Sequence, residues 1–178
     1  PVRFIGNYSS GKMGFAIAEE CARRGADVTL VAGPVSLATP HPSINRIDVE
    51  SANEMYDATV GAFPSCDVAI LSAAVADYRP ANQASEKIKR TASDMTIELQ
   101  ANRDIAATLG GMKAENQRLV GFALETNNGE INANEKLAKK NLDFIVLNTL
   151  EDKGAGFACD TNKVTIIGKD SKTEYPLK

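Results

Sequence analysis

The sequence has 178 residues, 43% of them hydrophobic and 24% charged, values typical of a globular chain long enough for one domain. Its 20 lysine and arginine residues are outnumbered by 23 aspartate and glutamate residues, and the formal net charge is -3. This balance argues against wrapping a nucleic-acid backbone but allows a local cationic pocket for a small anion. No apolar run approaches the roughly 20 residues of a membrane span, and no signal-peptide pattern opens the chain. We therefore expect a cytoplasmic protein with neither nucleic-acid nor membrane partners.

Cysteine and histidine are too scarce for several kinds of site. Cys21, Cys66 and Cys159 lie far apart and form no CxxC pair, which argues against a disulfide framework or a zinc–thiolate site. His41 is the only histidine and lies between two prolines, so neither a multi-histidine metal site nor a Ser-His-Asp triad is expected. The chemistry should rely on lysine, carboxylate, amide groups and backbone dipoles.

In the first half of the chain, short apolar runs alternate with helical patterns, as in βα units around a mostly parallel sheet. Ser51 and Glu54 form the pattern of a capping box, and Gly25 is placed to end the preceding helix. The predicted elements are a helix at residues 13–24, strands at 28–32 and 44–49, a helix at 51–62 and a strand at 68–74. The last strand is the most apolar, and we expect it to be central in the sheet.

The second half begins with a long loop, residues 77–94, which has no apolar period. Alternating residues then predict a half-exposed strand, and Asn102 is placed to cap the next helix. The predicted elements that follow the loop are a strand at residues 95–99, a helix at 104–113, a strand at 119–123, a helix at 131–141, a strand at 144–147 and a hairpin at 164–177.

The small-residue loop before the first helix, residues 7–14 (NYSSGKMG), is the first candidate site. Unpaired N–H groups at a helix start carry roughly +0.5 charge and favour phosphate or carboxylate. Gly11 and Gly14 would let a ligand approach the backbone closely. The run is neither a Walker A sequence nor GxGxxG, and an ordinary capped helix start explains it equally well.

Three other features can each be interpreted either as part of a functional site or as ordinary structure. Asp77 follows a strand, where α/β sheets bind ligands, and it could hold a ribose hydroxyl or a metal ion or simply cap a turn. Residues 86–90 (EKIKR) are either a solvated charge run or a mobile cationic flap. Lys136 and Lys140 share a helix face that is either an anion site or merely exposed. Together these features favour nucleotide-triphosphate chemistry without a P-loop.

The chain resembles the phosphopantothenate–cysteine ligase (phosphopantothenoylcysteine synthetase) domain of bacterial coenzyme A biosynthesis, over essentially its whole length. The resemblance rests on the opening run at residues 1–37, on AAVADYRP, EKIKR and VGFALETNN, on the lysine-bearing helix and on the closing GAGFACDTNKVTII. It implies a Rossmann-like three-layer α/β domain with a mostly parallel sheet and a small C-terminal β-hairpin. It also implies that CTP, assisted by Mg²⁺, activates 4′-phosphopantothenate as an acyl-cytidylate, from which the amine of L-cysteine displaces CMP.

The resemblance assigns roles to individual residues. Asn7 would contact the acyl intermediate during the second half-reaction, and Lys87 would be the flap lysine of the first. Asp77 would bind the nucleotide and the cation, while Lys89 and Arg90 would support the flap. The other implied nucleotide contacts are Ser72, Ala73, Ala74, Asn102, Arg103, Asp104, Ile105, Phe122, Lys136 and Lys140. The implied phosphate loop consists of Ser9, Ser10, Gly11 and Gly14.

The sequence departs from the family pattern in a few places. Residues 101–104 read Ala-Asn-Arg-Asp where Lys-Asn-Pro-Asp is usual, and Gly6 and Tyr8 replace a commoner serine and histidine. We expect one ligase domain over residues 1–178, with a flap at about 78–94 and without the family's first strand, last helix and flavin-bearing decarboxylase half. We therefore expect no FMN here, a homodimer, and fusion to a flavin decarboxylase domain in the parent chain.

Two other classes of function stay open. An NAD(P)-binding Rossmann oxidoreductase would need a GxGxxG turn and an acidic residue after its second strand, and VTLVAGP offers no acidic residue there. A non-catalytic nucleotide-binding module would need only the anion and base contacts.

Overall fold

The computed structural model describes residues 4–89, 94–125, 127–149 and 161–177. The helices are α1 (Lys12–Arg23), α2 (Ala52–Ala62), α3 (Ile105–Met112) and α4 (Gly129–Lys139). The strands are β1 (Val28–Ala32), β2 (Ile44–Asp48), β3 (Val68–Leu71), β4 (Tyr78–Pro80), β5 (Leu99–Ala101), β6 (Arg118–Glu125), β7 (Phe144–Thr149), β8 (Val164–Gly168) and β9 (Lys172–Tyr175). A turn of 3-10 helix, Phe63–Ser65, follows α2. None of the helices in these ranges is long and apolar enough to cross a membrane.

The main sheet has the order β3-β6-β7-β8-β9. Strands β3, β6 and β7 run parallel, whereas β8 and β9 form an antiparallel hairpin against β7. A second parallel pair is formed by β1 and β2, and a third, antiparallel pair by β4 and β5. The predicted fold class, mixed α/β with a mostly parallel sheet and a C-terminal hairpin, is confirmed.

Parallel pairing brings the carboxyl ends of three strands to one edge of the main sheet. Leu71, the last residue of β3, is opposite Gly121 of β6, and the β6 end at Glu125 is opposite Thr149 of β7. Loops that follow these ends share one rim, which is where open α/β sheets bind ligands.

Local sequence signals explain how the helices start and stop. The Ser51 side chain accepts from the Glu54 amide and the Glu54 side chain accepts from the Ser51 amide, the predicted capping box of α2. Gly11 precedes α1 with φ +76 and Gly25 follows it with φ +94, both in the left-handed region that glycine adopts without strain.

The main core lies between the sheet and the helices α3 and α4. Its fully buried side chains include Phe63, Leu109, Leu119, Leu142 and Ile145. A smaller cluster joins α1 to the β1–β2 pair through Ala18, Ala22 and Ile44. The core thus anchors the helices around the shared rim.

Several expectations from the sequence are wrong in detail. The strand expected at 68–74 ends at Leu71 and lies at an end of the described main sheet, not at its centre. The loop expected from residue 77 onwards contains β4, which pairs with β5, and the strand expected at 95–99 begins only at Leu99. Asp104, not Asn102, caps α3, accepting from the Ala107 amide at 3.0 Å.

The extent of the domain stays a prediction. Val68 and Ile70 of β3 are 49% and 38% exposed, which is unusual for a parallel strand. Arg90, at the end of the predicted flap cluster, and Cys159 lie outside the described residues.

Candidate functional site

The loop before α1 lies against the segment that follows β3. The Asn7 Nδ2 donates to the Val75 carbonyl oxygen at 3.2 Å. A Cβ on Gly14 would lie 2.7 Å from the Ser72 Oγ, so the first turn of α1 touches the end of β3. The structure therefore brings together candidate residues from two separate stretches, Asn7 and Gly14 of the loop at residues 7–14 and Ser72 after β3.

Two serine side chains of this loop accept hydrogen bonds from backbone amides of the same loop. The Ser9 Oγ accepts from the Gly11 amide at 3.3 Å, and the Ser10 Oγ accepts from the Lys12 amide at 3.4 Å. The first turn of any α-helix has amides with no intrahelical acceptor, and in α1 the Phe15 amide is the donor to the Gly11 carbonyl. Amides at the start of a helix are the groups that an anion site uses.

Asn102 fastens the segment that contains Asp77. Its Nδ2 donates to the Ala76 carbonyl oxygen at 2.7 Å, and its backbone amide donates to the Asp77 carbonyl oxygen at 2.8 Å. The Arg79 Nη1 donates to the Asn102 Oδ1 at 2.8 Å and to the Ala101 carbonyl at 3.1 Å. The side chain of Asn102 is thereby used internally, while Ala73 and Asp77 are exposed and Ala74 is half-buried.

The side chain of Arg103 points to α2, away from the rim. Its guanidinium lies 3.7 Å from the centre of the Tyr56 ring and forms an ion pair with Asp57 at 2.8 Å. A cation over an aromatic face and a carboxylate account for this position. A role of Arg103 in reading a base would therefore rest on its backbone, as the resemblance implies.

Asp104 and Lys140 are brought together at the start of α3. The Asp104 Oδ2 lies 3.0 Å from the Lys140 Nζ, and Asp104 also caps the helix. Burial raises the pKa of Asp104, but the Ala107 amide and the Lys140 ammonium outweigh it, so the pKa lies below its ordinary value. Ile105, the next residue, packs against the main core and fixes this corner.

Lys136 lies at the end of β6, held by Glu125. The Lys136 Nζ is 2.5 Å from the Glu125 Oε1, and the hydrogen bond from Lys136 lowers the pKa of Glu125 below its ordinary value. Phe122, on the same strand, is half-buried and lies opposite Val146 of β7. Both lysines predicted to meet a triphosphate, Lys136 in α4 and Lys140 at its C-terminal cap, thus have a carboxylate partner, which the sequence analysis did not foresee.

Asn148 is a candidate site residue that the sequence analysis missed. It is near the end of β7, opposite Leu124, and its Oδ1 is buried with no hydrogen-bond partner among the residues that the structure describes. A buried amide oxygen without a partner is costly, and such groups are often found where a ligand or an ordered water completes the bonding. The signal was present in the sequence as a polar residue ending the apolar run at residues 144–148.

Lys87 and Lys89 lie on the described part of the flap, and both are exposed. Within the described ranges, no residue forms a hydrogen bond or ion pair with the Lys87 ammonium. A lysine on an exposed loop can reach an anion only if the loop closes over it or extends to a neighbouring subunit.

Asp77 is the predicted metal ligand. In the ranges that the structure describes, no group of three or more histidine, cysteine or acidic residues could hold a metal ion. Mg²⁺, however, is commonly bound by one or two carboxylates together with substrate phosphates and waters. A single exposed carboxylate, as Asp77 has, fits that donor set.

Comparison with known proteins identifies the family. Residues 1–178 match the DNA/pantothenate metabolism flavoprotein C-terminal domain. The chain belongs to this family. A crystal structure of the C-terminal domain of the coenzyme A biosynthesis bifunctional protein CoaBC is 44% identical, with a TM-score of 0.80, covering 99% of this chain and 78% of that one.

Other family members extend the likeness. The chain is 47% identical to the coenzyme A biosynthesis bifunctional protein CoaBC of Escherichia coli (strain K12), covering 100% of this chain and 44% of that protein. It is 56% identical to a protein of an unknown prokaryotic organism named cysteine/cysteine sulfinic acid decarboxylase, covering 100% of this chain and 50% of that protein. The chain thus spans about half the length of these curated relatives.

A more distant likeness concerns the fold alone. A Cab2 mutant in complex with phosphopantothenate-cysteine is 16% identical to this chain, with a TM-score of 0.76, covering 98% of this chain and 74% of that one. The fold of this chain therefore also occurs in a protein of low sequence identity to it.

Proposed function

We propose that this chain ligates 4′-phosphopantothenate to L-cysteine at the expense of CTP. A carboxylate oxygen of phosphopantothenate attacks the α-phosphorus of CTP, which releases pyrophosphate and forms an acyl-cytidylate. The cysteine amine then attacks the acyl carbon, CMP leaves, and the amide forms. Membership of the family and relatives named for coenzyme A biosynthesis support this proposal.

One observation carries the proposal most directly. The loop before α1 and the segment after β3 meet through the bond from Asn7 to the Val75 carbonyl and through the contact of Gly14 with Ser72. The start of α1 and the Asn7 side-chain amide therefore lie against the segment that carries the exposed Asp77 two residues after Val75. This combination suits a reaction in which phosphate is bound beside a carbonyl centre.

The residues of the rim have separate tasks in this proposal. The α1 amides and the Lys136 and Lys140 ammoniums bind phosphate oxygens, and Lys87 approaches them when the flap closes. The Asn7 amide donates to the oxyanion that develops as the amine attacks, an interaction often worth about 2.7–4 kcal/mol.

The base and the cation complete the nucleotide site. Phe122 bounds the cytosine pocket, the backbone of residues 102–105 reads the edge of the base, and the unsatisfied Asn148 Oδ1 accepts from the nucleotide. Buried groups that need a partner penalise a base that cannot supply one. Mg²⁺, held by Asp77 with phosphate oxygens, would neutralise charge on the triphosphate. We expect no FMN in this portion of the protein.

The decisive experiment measures pyrophosphate release. Release should require both CTP and phosphopantothenate, stop after about one equivalent without cysteine, and turn over when cysteine is added. Pantothenate, which lacks the phosphate, is the matched control substrate. CTP binding without any release would leave a nucleotide-binding module, and a protein that binds no CTP would refute the proposal.

We further propose that the domain is a homodimer whose flap lies at the interface, fused in the parent chain to a flavin decarboxylase domain. The β4–β5 pair and the flap expose several large apolar side chains: Tyr78, Ile88, Met95, Ile97 and Leu99. Clusters of exposed apolar residues mark interaction surfaces. Light scattering after gel filtration tests this, and a monomer at all concentrations would contradict it.

A further inference from the structure

Glu125 is the last residue of β6, and both of its carboxylate oxygens are used. The Oε1 pairs with the Lys136 Nζ at 2.5 Å, and the Oε2 accepts from the Asn132 Nδ2 at 2.8 Å. Asn132 also donates to the Asn127 carbonyl oxygen at 3.3 Å. One side chain therefore connects the end of the strand, the turn that follows it and α4.

The neighbouring backbone is shaped around this side chain. A Cβ on Gly129, the first residue of α4, would lie 3.4 Å from the Glu125 Cβ. The Glu125 side chain is 15% exposed, compared with 44% for Lys136, so the carboxylate side chain is the better covered partner of the pair. Its two hydrogen bonds and its cover fix the position of the Lys136 ammonium.

A contribution to stability alone explains the pair poorly. Ion pairs with an exposed partner contribute about 0–1 kcal/mol to folding. What such a pair does change is the freedom of the lysine side chain, since a lysine loses much rotamer entropy when a ligand fixes it. A lysine that is already held in place loses less rotamer entropy when it binds its ligand.

We propose that Glu125 is a positioning residue that holds Lys136 where the nucleotide triphosphate binds. The proposal rests on the proposed function. An ammonium has three donors, and the bond to Glu125 uses one of them, so two are left for phosphate oxygens. The pair lies at the carboxyl end of β6, where Glu125 is opposite Thr149 of β7, at the rim where open α/β sheets bind ligands.

A positioning role and a purely electrostatic role of Glu125 predict opposite effects on CTP binding when its carboxylate is removed, which allows a clear test. If Glu125 acted only through its negative charge, its removal would strengthen the binding of an anion. If it acts by positioning, Glu125→Ala should weaken CTP binding about three- to tenfold, the cost of immobilising one freed lysine side chain. Glu125→Gln keeps an acceptor for Lys136 and should restore part of the loss.

The experiment is calorimetric titration of CTP into wild type, Glu125→Ala, Lys136→Ala and the double variant. We expect Glu125→Ala to weaken binding in the wild-type background and to have no further effect when Lys136 is absent. KM for CTP should rise, while the rate of cysteine capture stays unchanged. Glu130→Ala, which removes the α4 carboxylate paired with Lys172 at 2.6 Å, is the matched control and should bind CTP normally.

The outcomes separate this inference from the proposed function. Wild-type protein that binds no CTP would refute both. Wild-type protein that binds CTP, with a Glu125→Ala effect of equal size in both backgrounds, would refute the positioning role alone. Tighter binding by either Glu125 variant would refute it too, because the carboxylate would then oppose the ligand.

Discussion

Alanine substitutions at two adjacent glycines of α3 can test how closely this helix packs against the end of α4. Gly110 is buried, and a Cβ there would overlap the Lys140 carbonyl oxygen and lie 2.8 Å from its carbon. Gly111 is exposed, and a Cβ there would have nothing within 4 Å. An alanine therefore brings the same gain in helix propensity at both positions, but its methyl group would clash at position 110 and would lie in open space at position 111.

The expected effects on stability follow from these surroundings. Gly110→Ala gains up to about 1 kcal/mol of helix propensity, but the backbone of α3 or α4 must move, and overpacking typically costs about 1–3 kcal/mol or more. The movement would also disturb the bond from the Asn141 Nδ2 to the Gly110 carbonyl, at 2.9 Å. We expect a net loss of about 1–3 kcal/mol, or roughly 3–10 °C in Tm for a chain of this size.

Gly111→Ala should instead raise Tm by about 1–4 °C, because only the helix propensity changes. Thermal unfolding followed by circular dichroism measures both variants under the same conditions. Equal shifts of Tm for the two would show that α3 does not touch the Lys140 carbonyl. A Gly110→Ala protein of lowered Tm should also bind nucleotide more weakly, since Lys140 is the residue that pairs with Asp104.

Three further predictions concern single side chains. Asn7→Asp should still release pyrophosphate but capture cysteine more than tenfold more slowly; normal amide formation would contradict the oxyanion role. Lys87→Gln should slow pyrophosphate release, and an unchanged rate would dismiss the flap assignment. Burial raises the pKa of Asp143, but hydrogen bonds from Lys113 and from the Leu119 amide outweigh burial and lower this pKa below its ordinary value. The ionised Asp143 therefore stabilises the folded state at neutral pH, and this stabilisation is lost as pH falls through the folded-state pKa. Urea unfolding should show the difference between wild type and Asp143→Asn shrinking below about pH 4, and a difference independent of pH would refute this.

The elements that were predicted well are those whose cause is local in the sequence. The run at β1 is bounded by Gly33 and Pro34, and the predicted strand coincides with the observed one, Val28–Ala32. The capping box of α2 is contained within four consecutive residues, and the turn between β8 and β9 is equally short. Local signals of this kind do not depend on distant partners.

The elements that were missed depend on partners far along the chain. The strand β4 is only three residues long, includes Pro80, and exists because β5 pairs with it across the flap. Asn102 was expected to cap α3 because of its residue type, yet its amide braces the Ala76 carbonyl and Asp104 takes the cap. An asparagine can satisfy either role, and only the tertiary arrangement decides between them.

The same reasoning applies to charges at the rim. Sequence spacing predicts that Lys136 and Lys140 share a helix face, but it does not show that Glu125 and Asp104 neutralise them. A neutralised lysine attracts a distant anion weakly but still donates hydrogen bonds at close range.

The pairing therefore predicts how these lysines act on nucleotide binding. Lys136→Ala and Lys140→Ala should increase the dissociation rate of CTP several-fold and leave its association rate nearly unchanged, because close contacts govern dissociation and long-range fields govern association. Stopped-flow binding at low and high salt measures both rates. Association rates that fall as much as dissociation rates rise would mean that the carboxylates do not screen the lysines before the nucleotide arrives.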